Sequence, residues 1–305
     1  MNTFDLQIQS IASDGAHTPS EIIAMARGAG VVTIALTDHD TVLGVAEALE
    51  AGRAAGVRVI PGIEMSVEEH DIHVLGLGID PTNAPLLRAL EEFRADRVEG
   101  AKKIVENLKT NEGFAIEWED VLREAMNSST IARPHIVSAV MKRPENAEKL
   151  AHDSVKEKAD FFNRYLSNES RNFVKRAHVS AKDGIGLIHA AGGVAVWSHP
   201  VIPDFKSGEY DELEKFLQEL ILWEIDGLEV WSASHREDDV EFLWGMSEKY
   251  GLLKTGGSDF HDRGAHPRAE TGLHSADTIG DFETYGFPTE NVLSRLLEAI
   301  EKAKK

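Results

Sequence analysis

A chain of 305 residues with 42% hydrophobic and 28% charged side chains has ordinary globular composition, and its length allows one large α/β domain or two smaller ones. Its formal net charge of −20 repels long polyanions, which excludes duplex nucleic acid as an ordinary partner but leaves a small phosphorylated ligand open where cations line a pocket. Cysteine is absent, so disulfides and thiolate chemistry are excluded. The first residues lack the basic and apolar regions of a signal peptide, and no apolar run reaches spanning length; a cytoplasmic protein with no membrane association is expected.

In chain order, Phe4 to Ser10 reads as a strand, with Gln7 and Gln9 on one face because strand side chains alternate. "HTPSEIIAMARGAG" carries a full helix start, with Thr18 as N-cap, Pro19 at N1 and Glu21 at N3, and a Gly stop. "VVTIALTDHD" is a buried strand, "TVLGVAEALEAGRAAG" a helix, and "VRVIPGIEMSVEE" and "DIHVLGLGID" two more strands. This rhythm predicts a parallel sheet with helical cover. Residues 83–175 differ: they are charged, helical in period and poor in strands, and they read as an insertion between barrel segments 1–82 and 176–305. Strands return with "GVAVWSHP", "GLEVWSAS" and "LLKTGGSDFHD", and "TENVLSRLLEAIEKAKK" is a closing helix.

The polar residues of interest follow apolar strands: Gln7, Gln9, Asp14, Asp38, His39, Glu64, His73, His199, Glu229, Asp259 and His261. In a β/α barrel, such positions converge on one mouth. A lone histidine after a strand is ordinarily a satisfied polar group. Four of them with several carboxylates point instead to a divalent metal centre, since imidazole and carboxylate together suit zinc, manganese or iron. A set of this size can hold more than one ion, and paired ions serve phosphoryl transfer.

The motifs "SDG", "LTDHDT", "GIEMS", "HVLGLGID", "RPHI", "AAGGVAVWSHP" and "GGSDFH", in this order and spacing, resemble those of the PHP (polymerase and histidinol phosphatase) superfamily, in particular its small bacterial nucleotide phosphatases and 5′→3′ exoribonucleases. The resemblance implies a distorted (β/α)7 TIM-like barrel with a helical insertion over its mouth. It implies a metal-dependent phosphoesterase acting on nucleotides or short oligonucleotides through a metal-activated water, with no obligate protein partner. By position, one ion would fall to Glu64, His73 and His199, a second to Asp14, His39 and His261, and a third to Glu64, Asp259 and an opening His-x-His. The catalytic set would be Asp14, His39, Glu64, His199, Asp259 and His261.

Here the chain departs from the pattern, because Gln7 and Gln9 occupy the two histidine positions. An amide oxygen is a weaker, harder donor than imidazole. The third position is then either empty, or filled by a hard ion such as magnesium, or part of an inactive site in a nucleotide- or phosphate-binding protein. Every other ligand position is filled, which favours a retuned enzyme with two or three divalent ions (Mn, Zn, Fe or Mg).

In the insertion, Arg133 and His135 of "ARPHI" are candidates for substrate phosphate, since a guanidinium grips phosphate in bidentate fashion; the same residues also read as an ordinary helix start. His235 in "SASHRED" is either a pocket residue or a surface-loop histidine. Asp38, beside His39, is expected to orient a metal ligand from behind and not to bind metal itself.

Overall fold

The computed structural model describes residues 2–125, 131, 133–167, 170–174, 179–201, 205, 208, 210–262 and 276–305. The chain divides into two compact units. Among the described residues, one contains 2–90, 179–262 and 276–305, and the other contains 91–174.

The first unit is built on a seven-stranded sheet in chain order: β1 (Phe4–Asp5), β2 (Thr33–Leu36), β3 (Arg58–Ser66), β4 (His73–Leu77), β5 (Val194–Trp197), β6 (Gly227–Ser232) and β7 (Leu253–Gly257). The helices of the chain are α1 (Pro19–Gly28), α2 (Val45–Ala55), α3 (Ala84–Glu112), α4 (Trp118–Glu124), α5 (Arg133–Met141), α6 (Ala147–His152), α7 (Lys158–Tyr165), α8 (Ala181–Ala190), α9 (Tyr210–Leu222), α10 (Glu237–Tyr250) and α11 (Val292–Ala303). Beyond the last ladder, the two edges of the sheet approach. Leu6 N–H donates to Gly256 O at 3.1 Å, Gln9 N–H to Phe260 O at 3.0 Å, and Ile8 bridges Phe260 in parallel, so the sheet is nearly closed into a barrel. Gly257 makes this closure sterically feasible: a Cβ there would lie 2.5 Å from Gln7 Cβ.

Helix α1 begins as its residues dictate. Thr18 caps Glu21 N–H, Glu21 reaches back to Thr18, and Pro19 needs no donor in the first turn. Its Ile22, Ile23 and Ala26 bury against Ile34 and Leu36 of β2 and Ala48 of α2 in one apolar cluster with Ile8, Val57 and Phe260. Burial of each isoleucine contributes about 1.5–3 kcal/mol. Helix α2 stops at Gly56, whose φ of 72° suits a residue without Cβ.

The sheet is mixed, where the sequence predicts it parallel. Strands β3 and β4 run antiparallel, with Ser66 opposite His73, and β4 is also antiparallel to β5. The cause is the length of the β3–β4 link: residues 67–72 are too few for a crossover, so the chain must turn back as a hairpin. The regular part of the opening strand is also shorter than Phe4 to Ser10. After Asp5, two of the backbone donors turn to side chains: Gln7 N–H to Asp5 Oδ1 at 3.3 Å and Ile8 N–H to Thr37 Oγ1 at 3.1 Å.

The second unit has its own core, with Leu108, Phe114, Ile116, Val121, Ile136, Phe161 and Leu166 all buried. Phe114 packs on Phe161 and Tyr165 with ring centroids 5.3 and 4.9 Å apart. No helix among the described residues is long and apolar enough to cross a membrane.

Candidate metal centre

Glu64, near the end of β3, is completely buried and is the hub of the centre. His73 Nδ1 lies 2.9 Å and His199 Nε2 3.1 Å from its Oε1, and His39 Nε2 lies 3.6 Å from its Oε2. The hairpin explains how His73 arrives. It opens β4, but because β4 is reversed, its first residue stands at the level where β3 ends. Burial opposes charge on Glu64, yet His39 and His73, with bonds from His199 and His73, hold its carboxyl well below the usual range.

A second cluster adjoins the first. His261 Nε2 is 3.4 Å from Asp14 Oδ1, and His39 Nε2 is 4.0 Å from Asp14 Oδ2. Asp14, His39 and His261 place one ligand atom each within 4.8 Å of one another, as do His39, Glu64 and His73. His39 therefore stands between the two groups, its ring centroid 4.9 Å from that of His73 and 6.2 Å from that of His261. Asp259 precedes these at the end of β7, and its carbonyl oxygen faces His261 Nδ1 at 2.6 Å.

The strand ends carrying these groups are held by buried carboxylates. Asp38 accepts from Ser10 N–H at 2.7 Å, Ser10 Oγ–H at 2.8 Å and Ser13 Oγ–H at 2.7 Å. It thus fixes the turn that carries Asp14, acting on a candidate ligand from behind as the sequence suggests. Burial raises its carboxyl above the ordinary range despite these bonds. Asp40 accepts from Ser66 N–H and Oγ–H at 3.0 and 3.1 Å. Asp5 accepts from Ser258, Gly280 and Gln7, tying the opening strand to the end of β7, and burial pushes its carboxyl up to about 6. Glu229 Oε2 accepts His199 N–H at 2.8 Å, and burial places Glu229 well above the usual carboxyl range. Asp40, His199 and Asp259 have φ of 51°, 30° and 52°, left-handed values that non-glycine residues seldom adopt without such support.

Gln7 and Gln9 are both buried and both reach Glu64. Gln7 Nε2 donates to Oε1 at 3.2 Å, and Gln9 Nε2 donates to Oε2 at 2.6 Å. They share a face, as alternation requires, but the amide group turned toward Glu64 is N–H and not carbonyl oxygen.

Arg133 and His135 lie on the first turn of α5 in the second unit. Arg133 Nη1 donates to Leu166 O at 3.1 Å, and its guanidinium sits 4.9 Å from the Phe162 ring centre. His235 is no surface histidine: it is 3% exposed, its Nδ1 lies 2.9 Å from Val230 O, and burial pushes it down to about 4. The supporting roles of Asp5, Asp40, Ser10 and Ser13 were not read from the sequence. A carboxylic side chain, Asp5, between the apolar Phe4 and Leu6 of an expected strand was the available signal.

Mixed imidazole and carboxylate donors converging from separate strand ends are the donor set divalent ions require, so the two clusters fit such ions. The position shared by Gln7, Gln9 and Glu64 does not present that set, because its two amides face the carboxylate with N–H.

The PHP domain model matches residues 5–222. A 3′,5′-nucleoside bisphosphate phosphatase from Chromobacterium violaceum is 33% identical over 270 residues, covering 87% of this chain and 89% of the relative. A 5′-3′ exoribonuclease from Haemophilus influenzae is 30% identical over 264 residues, covering 85% and 89%. Among solved structures, a Bifidobacterium adolescentis protein described as a metal-dependent phosphoesterase superposes with a TM-score of 0.76 at 28% identity, covering 97% of this chain and 96% of that one. The chain belongs to the PHP domain family and is a hydrolase of its metal-dependent phosphoesterase kind.

Proposed function

We propose that the chain hydrolyses phosphate esters of nucleotides or short oligonucleotides. The observation that carries this reading is the adjacency of the two donor clusters through His39, which lies 3.6 Å from Glu64 and 4.0 Å from Asp14. In this reading Glu64, His73 and His199 hold one divalent ion, and Asp14, His39 and His261 hold its neighbour. Bound ions would supply a more acidic water and neutralise charge on phosphoryl oxygens. The chain's own contribution is placement. Glu229 and Asp38 fix the backbone of His199 and the turn of Asp14, so the donors need little reorganisation. Asp259 lies beside His261 and completes the catalytic set. Arg133 and His135 are assigned to substrate phosphate, and His235 to the substrate pocket. The reading takes the protein as cytoplasmic.

The named activities of the two relatives support nucleotide-derived substrates, as a bisphosphate nucleotide and an RNA 5′ end both present phosphate on ribose. A second reading, a nucleotide-binding protein without turnover, is favoured by one observation only, the glutamine pair on Glu64.

The test strips the protein of metal, restores manganese, magnesium or zinc, and follows phosphate and mononucleotide release. The substrates are a nucleoside 3′,5′-bisphosphate and a short 5′-phosphorylated RNA. Turnover in the wild type that disappears in H39A/H261A supports hydrolysis. Tight nucleotide binding without turnover under every metal supports the second reading and ends the first.

A further inference from the structure

The orientation of the two glutamine amides follows from their acceptors. Gln9 Nε2 has two, Glu64 Oε2 at 2.6 Å and Thr37 O at 3.4 Å. Reversing the amide would set its oxygen against both, oxygen facing oxygen in a dry site. Gln7 Nε2 likewise meets a carboxylate oxygen at 3.2 Å. The two glutamines thus take one oxygen each of the same buried carboxylate, and both amide oxygens are buried with no hydrogen-bond partner among the described residues.

Neither side chain can easily be re-aimed by a backbone shift. A Cβ at Gly257 would lie 2.5 Å from Gln7 Cβ and one at Gly15 only 2.3 Å from Gln9 O, which shows how tightly the neighbouring backbones hold this strand. For either amide oxygen to bind an ion that Glu64 also binds, the amide must turn over and Glu64 must lose that donor. An N–H aimed at an ionised carboxylate in a water-poor interior is a strong hydrogen bond, and two of them compete directly with a cation for the same face of Glu64.

We propose that Gln7 and Gln9 act in place of one cation. Their N–H groups neutralise the face of Glu64 that a third ion would share, and the centre loads with two divalent ions. This rests on the reading that the two donor clusters bind ions, and the experiment separates the two claims.

Metal-free protein is equilibrated with manganese, freed of unbound ion, and its metal counted by mass spectrometry. The wild type is expected to hold two ions per chain, one for each cluster, and Q7H/Q9H three. A wild-type count of three, or a folded Q7H/Q9H that still holds two, overturns the proposal. A wild type that binds none overturns the functional reading itself. A second pair of measurements does not depend on the histidine variant folding. Metal-free Q7M/Q9M, which keeps the side-chain length and removes the donors, is expected to melt below metal-free wild type and to regain more on adding manganese. Equal melting temperatures without metal would show that the amides do not compensate the Glu64 charge.

Discussion

The backbone N–H of His199 donates to the buried carboxyl of Glu229 at 2.8 Å, while the His199 ring presents Nε2 to Glu64 at 3.1 Å. One residue is thus gripped from both sides. Its backbone holds a left-handed φ of 30° that an unsupported histidine would leave, and that conformation aims the ring.

Glu229→Gln should be tolerated and Glu229→Ala should not. Burial favours the neutral carboxyl, so glutamine keeps the charge state and the acceptor for His199 N–H. Alanine leaves that N–H unpaired and costs about 1–3 kcal/mol before any cavity cost. Glu229 is raised in the folded state, so its contribution is full below the ordinary carboxyl range and declines as pH rises toward the folded value. Glu229→Gln should remove that decline. Urea unfolding of the metal-free proteins at several pH values measures both effects.

Asp38→Ala should loosen Asp14 without touching it. Three donors lose their acceptor in the turn 10–13, a cost of about 2–4 kcal/mol. Affinity for the ion nearest Asp14 should fall about 10–100-fold, as for other groups that orient ligands from behind. Calorimetric manganese titration should show one of the binding steps weakened and the other retained.

Gly257→Ala should strain the seam of the barrel. The added Cβ meets Gln7 Cβ at 2.5 Å and Gln7 N at 2.7 Å, and backbone atoms cannot rotate away. A loss of about 1–3 kcal/mol is expected from overpacking. Gly245→Ala, on the open surface of α10 with nothing near the added atom, is the control and should be neutral or stabilising.

His235 should make the protein acid-sensitive. It is pushed down to about 4 by burial from an ordinary 6.5, so the unfolded chain binds a proton that the folded chain refuses between those values. Stability therefore rises with pH across this window and is lost as pH falls through it, by at most about 3 kcal/mol. Asp5, raised from 3.8 to about 6, works the other way over nearly the same range, so the wild-type curve alone does not isolate the histidine. The difference in unfolding free energy between wild type and His235→Asn isolates the histidine and should widen from pH 4 to pH 6.5.

Much of the centre was legible because its residues follow recognisable apolar runs. His39, Glu64, His199 and His261 each stand near a strand end, where a barrel gathers side chains, and Asp14 follows on the turn after the opening strand. The start of α1 was equally legible, since Thr18, Pro19 and Glu21 act on one another within a single turn. The reversal of β4 was harder to read. A strand's direction depends on which neighbour it pairs with, and "HVLGLGID" has the same composition in either sense. Which ligand Asp38 serves was equally hard to read: it lies next to His39 in the chain, but its carboxylate takes Ser10 and Ser13, in the turn that carries Asp14.

The amino-acid sequence by itself determined the local structure and the inventory of the site. Helix starts, apolar strands, the donor types and the Gln-x-Gln departure all depend on residues a few positions apart. The tertiary structure alone decided what those glutamines do. Gln9 and Glu64 are 55 positions apart, and the assembly of the sheet brings them to 2.6 Å. At that distance the choice between offering an oxygen to an ion and an N–H to a carboxylate is electrostatic. It is settled by acceptors on other strands, Glu64 and Thr37, that no local pattern in "FDLQIQ" reveals.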